Sequence, residues 1–182
     1  MTTTLTTHPA TARPDLLARP VAAALAGWTG SVPVTEVEVA AIDPELADTA
    51  VFCERHGVSL AESANCVVVA ARRGGEVSHA AFVVTATTRG DVNGLIRRHL
   101  GARKVSFAPM AEVLDATGME YGGITPIGLP EGWPILVDSA VAALPRAVVG
   151  SGIRGSKLWV PGPLLAELPG AQVLDGLGLP LD

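Results

Sequence analysis

Two apolar runs, CVVVAA at Cys66–Ala71 and AAFVVT at Ala80–Thr85, lie either side of a polar segment that opens Arg72-Arg73-Gly74-Gly75-Glu76. Runs this short and this rich in β-branched residues, separated by paired glycines, predict two strands joined by a hairpin. That hairpin commits the chain to a β-sheet, and every other element has to be arranged around it. Its 182 residues suffice for one packed core. Hydrophobic residues make up 48% and charged residues 17%, a composition that builds a core instead of remaining disordered. No apolar run approaches the roughly 18 residues of a membrane span. The N-terminus lacks a basic segment followed by an apolar stretch, so a cytoplasmic location is expected.

Around the hairpin, the Thr-rich stretch from Met1 to about Pro14 reads as a frayed tail. Leu16 to Leu25 predicts a short helix interrupted at Pro20 and closed near Gly27. Residues 1–30 are therefore expected to be a flexible tail with a short helix, and 31–182 a single domain. VTEVEVAA at Val34–Ala41 alternates, predicting a strand with Val37, Val39 and Ala41 on one face. Asp43 and Pro44 predict a helix start running to Gly57, and Ser59 with Glu62 has the spacing of a capping box leading to Asn65. Asp91–Leu100 and Pro109–Thr117 predict helices stopped by Gly101 and Gly118. Short strands follow at 135–138, 147–150, 157–160 and 172–174, with a brief helix from Pro163. Strands and helices mix without a regular βαβ rhythm, so the expected class is α/β with a mixed sheet.

The chemistry-bearing residues exclude several classes. His8, His56, His79 and His99 share no ligand spacing with Cys53 or Cys66, so no metal is expected. Nor is any phosphate-binding loop, dinucleotide fingerprint or nucleophile elbow present, and no cofactor is expected. Cys53 and His56, three apart on a helix, are spaced as a nucleophilic pair or simply as a core thiol beside a helix-terminal histidine. A net charge of −5 rules out a generally basic surface, so any RNA contact must be local. Arg97, Arg98, Arg103 and Lys104 form one local basic group, and Arg72 with Arg73 another.

Two glycine-rich segments stand out. Gly122-Gly123-Ile124-Thr125-Pro126, followed by Gly128-Leu129-Pro130, is too dense in Gly and Pro for a helix or strand. Such a rigid, irregular backbone suits either a small polar ligand or a purely structural crossing. Gly150-Ser151-Gly152-Ile153-Arg154-Gly155 could aim several amides at one acceptor or form an ordinary turn.

Taken in order, SANCVVVAA at Ser63–Ala71, Asp91-Val92-Asn93, SFAP at Ser106–Pro109, TGMEYGGITPIGLP at Thr117–Pro130, Val137-Asp138 and GSGIRGSKL at Gly150–Leu158 resemble one known family. It is the YbaK/EbsC-like aminoacyl-tRNA deacylases, related to the editing domain inserted in bacterial prolyl-tRNA synthetases. The resemblance runs from about Phe52 to Leu174. It implies a YbaK-like fold, a partly barrel-like mixed sheet with surrounding helices. It also implies removal of misattached amino acids from tRNA in trans, with the aminoacylated 3′ end as ligand and a synthetase as candidate partner. By the same resemblance, Asn65, Gly123 and Thr125 are the catalytic candidates. Gly122, Pro126, Asp138, Gly150, Gly152, Arg154 and Lys157 are the substrate-binding candidates. One position departs from the pattern: many members carry a lysine where this chain has Asn65, an uncharged hydrogen-bonding side chain. The competing expectation is a diverged module that binds an amino-acid-like ligand or a protein without hydrolysing anything.

Overall fold

The computed structural model describes residues 5–181. Residues 1–4 of the expected tail, and Asp182, lie outside the described residues. In chain order the elements are β1 (His8–Pro9), α1 (Arg19–Ala26), β2 (Glu38–Ala41), α2 (Thr49–His56), β3 (Ala64–Arg73), β4 (Glu76–Thr85), β5 (Thr88–Gly90), α3 (Arg97–His99), β6 (Lys104–Phe107), α4 (Met110–Thr117), β7 (Ile135–Asp138), α5 (Ser139–Ala142), β8 (Ala147–Gly150), β9 (Ser156–Val160), α6 (Gly162–Ala166), β10 (Ala171–Leu174) and β11 (Gly178–Pro180).

The hairpin is the backbone of the larger sheet, ordered β10-β7-β4-β3-β6. β3 and β4 pair antiparallel along their whole length, turning at Gly74 and Gly75, both at positive φ. β7 pairs parallel with both β4 and β10, so the sheet is mixed as expected. A second sheet, β1-β2-β9-β8, is antiparallel throughout. A bridge between Ser63 and Val148 ties the two sheets together where β3 begins. The largest apolar cluster draws Val83, Ile135 and Val137 from one sheet, Val39, Val149 and Leu158 from the other, and Val21 and Leu25 from α1. On its opposite face the second sheet is covered by α2, through Ile42, Phe52, Cys53, Val148 and Trp159.

Several local expectations change for identifiable reasons. Residues 5–30 are not a tail outside the domain: Ala10, Leu17, Ala18, Val21 and Leu25 are all buried in the main cluster. Pro20 does not interrupt α1 but occupies its first turn, where a missing N–H costs nothing. The helix expected from Asp43 is two pieces. Asp43 caps only a 3-10 turn at Pro44–Leu46, and Asp48, in extended conformation, restarts the chain as α2. No helix follows Ser59. Its Oγ accepts from the Ala61 amide at 3.2 Å, and the Glu62 carbonyl accepts from Val148, pulling the segment into sheet pairing. β2 begins only at Glu38, and Val39 and Ala40 are both buried while Ala41 is exposed, because this sheet is covered on both faces. The helix expected at Asp91–Leu100 forms as a wide first turn at Val92–Ile96 continuing into α3, with the Asp91 carboxylate accepting from Gly94 and Leu95.

Candidate functional site

Where α2, the start of β3 and the β8–β9 hairpin meet, they enclose a cavity of about 240 Å³. Each element contributes for a local reason. The break at Asp48 puts its carboxylate on the rim and makes Thr49 the first residue of α2. Asn65, the second residue of β3, accepts through Oδ1 from the Thr49 hydroxyl at 2.7 Å. That bond orients the amide and leaves its NH₂ as a donor. Phe52, one turn further along α2, closes the floor.

Lys157 enters from β9 and is only 7% exposed. Its neighbours across the sheet are Ala40 on one side and Gly150 on the other, so two small residues leave space for the long side chain. The ammonium lies 5.6 Å from the centre of the Phe52 ring. No carboxylate lies within 4 Å of it among the described residues. Burial pushes this ammonium below the usual lysine range. Cys53 and Asp48 act in the opposite direction, and Arg154 adds to the depression.

The two glycine-rich segments pack face to face beside the cavity. The Gly152 amide donates to the Gly123 carbonyl at 2.7 Å, the Gly123 amide to the Glu120 carbonyl at 3.0 Å, and the Glu120 amide to the Gly152 carbonyl at 2.8 Å. Gly123 lies so close to Ile153 that a Cβ there would stand 2.6 Å from backbone atoms. Gly122 adopts φ +81°, and the Arg154 guanidinium covers the space a side chain would need. Arg154 is 3.7 Å from Asp48 and 5.7 Å from the centre of the exposed Tyr121 ring.

Of the residues nominated from sequence, Asn65, Gly122, Gly150 and Lys157 line this cavity, and Arg154 borders it through Gly122 and Asp48. Gly123 and Gly152 stand behind its wall, Gly152 against Ala18 and Val21. Thr125 is wholly buried and its hydroxyl has no partner among the described residues. Pro126 faces a separate, larger cavity of about 520 Å³ beneath α1. Asp138 has a different task from the one expected. It caps α5 through the Ala140 amide and accepts from Gly178, two strands away from β3 in the sheet.

Asp48, Thr49 and Phe52 line the cavity without having been singled out from sequence; the signal was an Asp-Thr pair at a helix start with an apolar residue one turn on. Cys66 also faces it, but burial pushes its thiol up to about 12, too high for a thiolate nucleophile near neutral pH. Cys53 is buried against Ser63, with 3.2 Å between Sγ and Oγ, while His56 packs its ring on Phe52. Among the described residues no group of three or more His, Cys, Asp or Glu is arranged to hold a metal. None of the helices there is long and apolar enough to cross a membrane.

Comparison with known proteins bears on this geometry. The model of the aminoacyl-tRNA editing domain family matches residues 43–168, well over half of the chain. No curated protein sequence matches. A solved structure of a protein proposed as a trans-editing enzyme for prolyl tRNA synthetase aligns with a TM-score of 0.71 at 23% identity, covering 87% of this chain and 94% of that one. A scaffold from work on epitope backbone grafting by computational design aligns equally well, with a TM-score of 0.71, 22% identity, and 87% and 95% coverage. A hypothetical protein aligns at 0.64, with 24% identity and 73% and 85% coverage. At these identities the structures establish the fold; the family match spans both glycine-rich segments and the cavity beside them. The chain belongs to the aminoacyl-tRNA editing domain family.

Proposed function

We propose that this chain is a YbaK/EbsC-like editing deacylase that acts in trans in the cytoplasm, hydrolysing the ester between a misattached amino acid and the terminal ribose of a tRNA. The observation that carries this reading is the cavity itself. An amide oriented by Thr49, a lysine ammonium and an Asp48 carboxylate surround a space with apolar walls. Those are the groups an aminoacyl ester calls for. The carboxylate complements the substrate's α-ammonium, and the Asn65 amide can donate to the ester. The apolar walls limit the size of side chain admitted. Hydrolysis needs no covalent intermediate: water adds to the carbonyl carbon, the bond to the ribose oxygen breaks, and that oxygen takes up a proton. A synthetase that misactivates the amino acid is the partner this role suggests.

The test is a deacylation screen over tRNAs mischarged with amino acids graded in size. Wild type should hydrolyse at least one far faster than buffer alone. Asn65→Ala should slow that reaction by about 100-fold, the typical cost of one positioned donor, without changing the fold. A wild-type protein that binds an amide-linked aminoacyl-tRNA analogue but hydrolyses no ester would instead establish the non-catalytic module.

The fold also unites the two basic groups. β3 pairs with β6 so that Arg72 stands opposite Lys104, and Arg103 donates its amide to the Arg72 carbonyl. Arg73 reaches Gly101, just beyond α3 with its Arg97 and Arg98. This patch is seven residues along β3 from Asn65, roughly 23 Å at strand spacing. That distance suits an acceptor stem whose 3′ end is in the cavity. Replacing Arg72 and Lys104 by alanine should weaken tRNA binding and reduce the slope of log K against log salt by about 1.5, as two lost phosphate contacts would. An unchanged slope would remove the patch from the RNA interface.

A further inference from the structure

Three of the amides in the glycine-rich segments are already committed. Gly123 N–H serves Glu120, Gly152 N–H serves Gly123, and the Arg154 amide serves the Glu120 carboxylate at 2.7 Å. These bonds lock the two glycine-rich segments together and take all three donors away from the cavity. The Asn65 amide is neutral. A cation facing the cavity would meet a tetrahedral oxyanion more strongly than a neutral donor does.

We infer that Lys157 is a catalytic residue, its ammonium donating to the oxyanion that forms when water adds to the ester carbonyl. This inference rests on the hydrolytic reading given above. Lys157 is the cationic side chain that lines the cavity, and it is almost completely buried. Strand pairing fixes its backbone at both edges, between Ala40 and Gly150, and its ammonium lies over the Phe52 ring. The ammonium is thus held in place without an ion-pair partner within 4 Å among the described residues. A buried cation that is not neutralised costs stability, and such sites are characteristic of groups reserved for a ligand. Low-dielectric surroundings make the same charge more effective against a developing anion than it would be in water.

The step balances without further components. The attacking water oxygen bonds to the carbonyl carbon and the carbonyl electron pair moves to oxygen, where Lys157 donates a hydrogen bond. The intermediate then collapses, expelling the ribose oxygen, and the proton released by the water ends on that oxygen. Lys157 transfers no proton and returns unchanged.

Single-turnover deacylation of a mischarged tRNA that the wild type hydrolyses provides the test, with Lys157→Met as the principal variant. Methionine keeps an unbranched stem and removes the charge, so a purely packing role for Lys157 predicts a wild-type rate. The catalytic role predicts a rate lower by about 100-fold or more, while affinity for an amide-linked analogue changes by less than about threefold. Melting temperature should not fall, since a buried charge has been removed. Lys157→Gln guards against a folding defect peculiar to methionine and should lose rate similarly. A folded Lys157→Met protein that keeps the wild-type rate would overturn this role and leave the deacylase reading standing. So would a loss of rate matched by an equal loss of analogue binding. A wild type that binds the analogue and hydrolyses nothing would overturn both.

Discussion

A chain shortened to begin at Gly30 is expected to lose its cooperative thermal transition altogether. Leu17, Val21 and Leu25 are 7%, 0% and 2% exposed, and all three belong to the main apolar cluster. Burying side chains of this size contributes about 1.5–3 kcal/mol each, so the three together approach the whole stability of a typical domain, about 5–15 kcal/mol. Removal also thins the apolar cluster that the segment shares with Ile127, Ile135 and Leu168. The loss would reach the cavity as well. The Ala18 amide donates to the Ser151 carbonyl at 3.1 Å, and the Leu16 carbonyl accepts from Ser156. Gly128 is packed so tightly on α1 that a Cβ there would stand 2.5 Å from the Pro20 carbonyl oxygen. The N-terminal segment thus braces both glycine-rich segments from behind. Circular dichroism melts of the full and shortened chains decide the matter; a shortened chain that melts cooperatively within a few degrees of the full one would show that the packing contributes little.

The helix in that segment was legible, but the burial of the chain before it was not. Ala10 is buried from a 3-10 turn, and Leu17 and Ala18 from extended chain, conformations with no fixed spacing of apolar residues. The hairpin, by contrast, was legible down to its turn glycines. Its two apolar runs form the core of strands that extend to the turn through polar residues, and Gly74 and Gly75 supply the positive φ that the turn requires. The loop from Tyr121 to Pro134 was legible for the opposite reason, since its Gly and Pro content excludes regular structure.

The site was legible in part. Glycine-rich segments announce close backbone approach, and those at 122–126 and 150–155 do pack together. What a single chain does not display is which amides that approach consumes. Lys157 was harder still. The resemblance alone nominates it, because without that a charged residue at the strand start in Ser156-Lys157-Leu158 reads as a solvated edge, which holds for a sheet with one wet face. Here Leu158 faces the main cluster and Lys157 faces α2, so the strand is dry on both sides. Asp138 entered only through the resemblance; its carboxylate caps the helix that begins at the next residue, and it does not line this cavity.

Gly150→Ala should nearly abolish deacylation while leaving a folded protein. The backbone at Gly150 does not require positive φ, so alanine meets no conformational penalty there. The obstacle is space. A Cβ would lie 2.5 Å from the carbonyl oxygens of both Gly123 and Ile124, and these are backbone atoms that cannot swing aside. Either β8 retreats or the 122–126 loop lifts, and overpacking of this kind typically costs about 1–3 kcal/mol. Such a loss lowers the melting temperature without unfolding a domain of ordinary stability. Activity should suffer more, because both moving parts line the cavity and Gly150 is the cross-strand neighbour of Lys157. Misplacing catalytic groups by about 1 Å can cost on the order of 100-fold in rate. Gly155→Ala is the matched control. It lies in the same turn, needs no positive φ, and its Cβ would meet only Pro44 at an ordinary 3.8 Å. Rates and melting temperatures for both variants should separate widely at Gly150 and stay near wild type at Gly155. Equal losses at the two positions would mean that general disturbance of the turn matters, and that the fit of Gly150 against the loop does not set the geometry of the site.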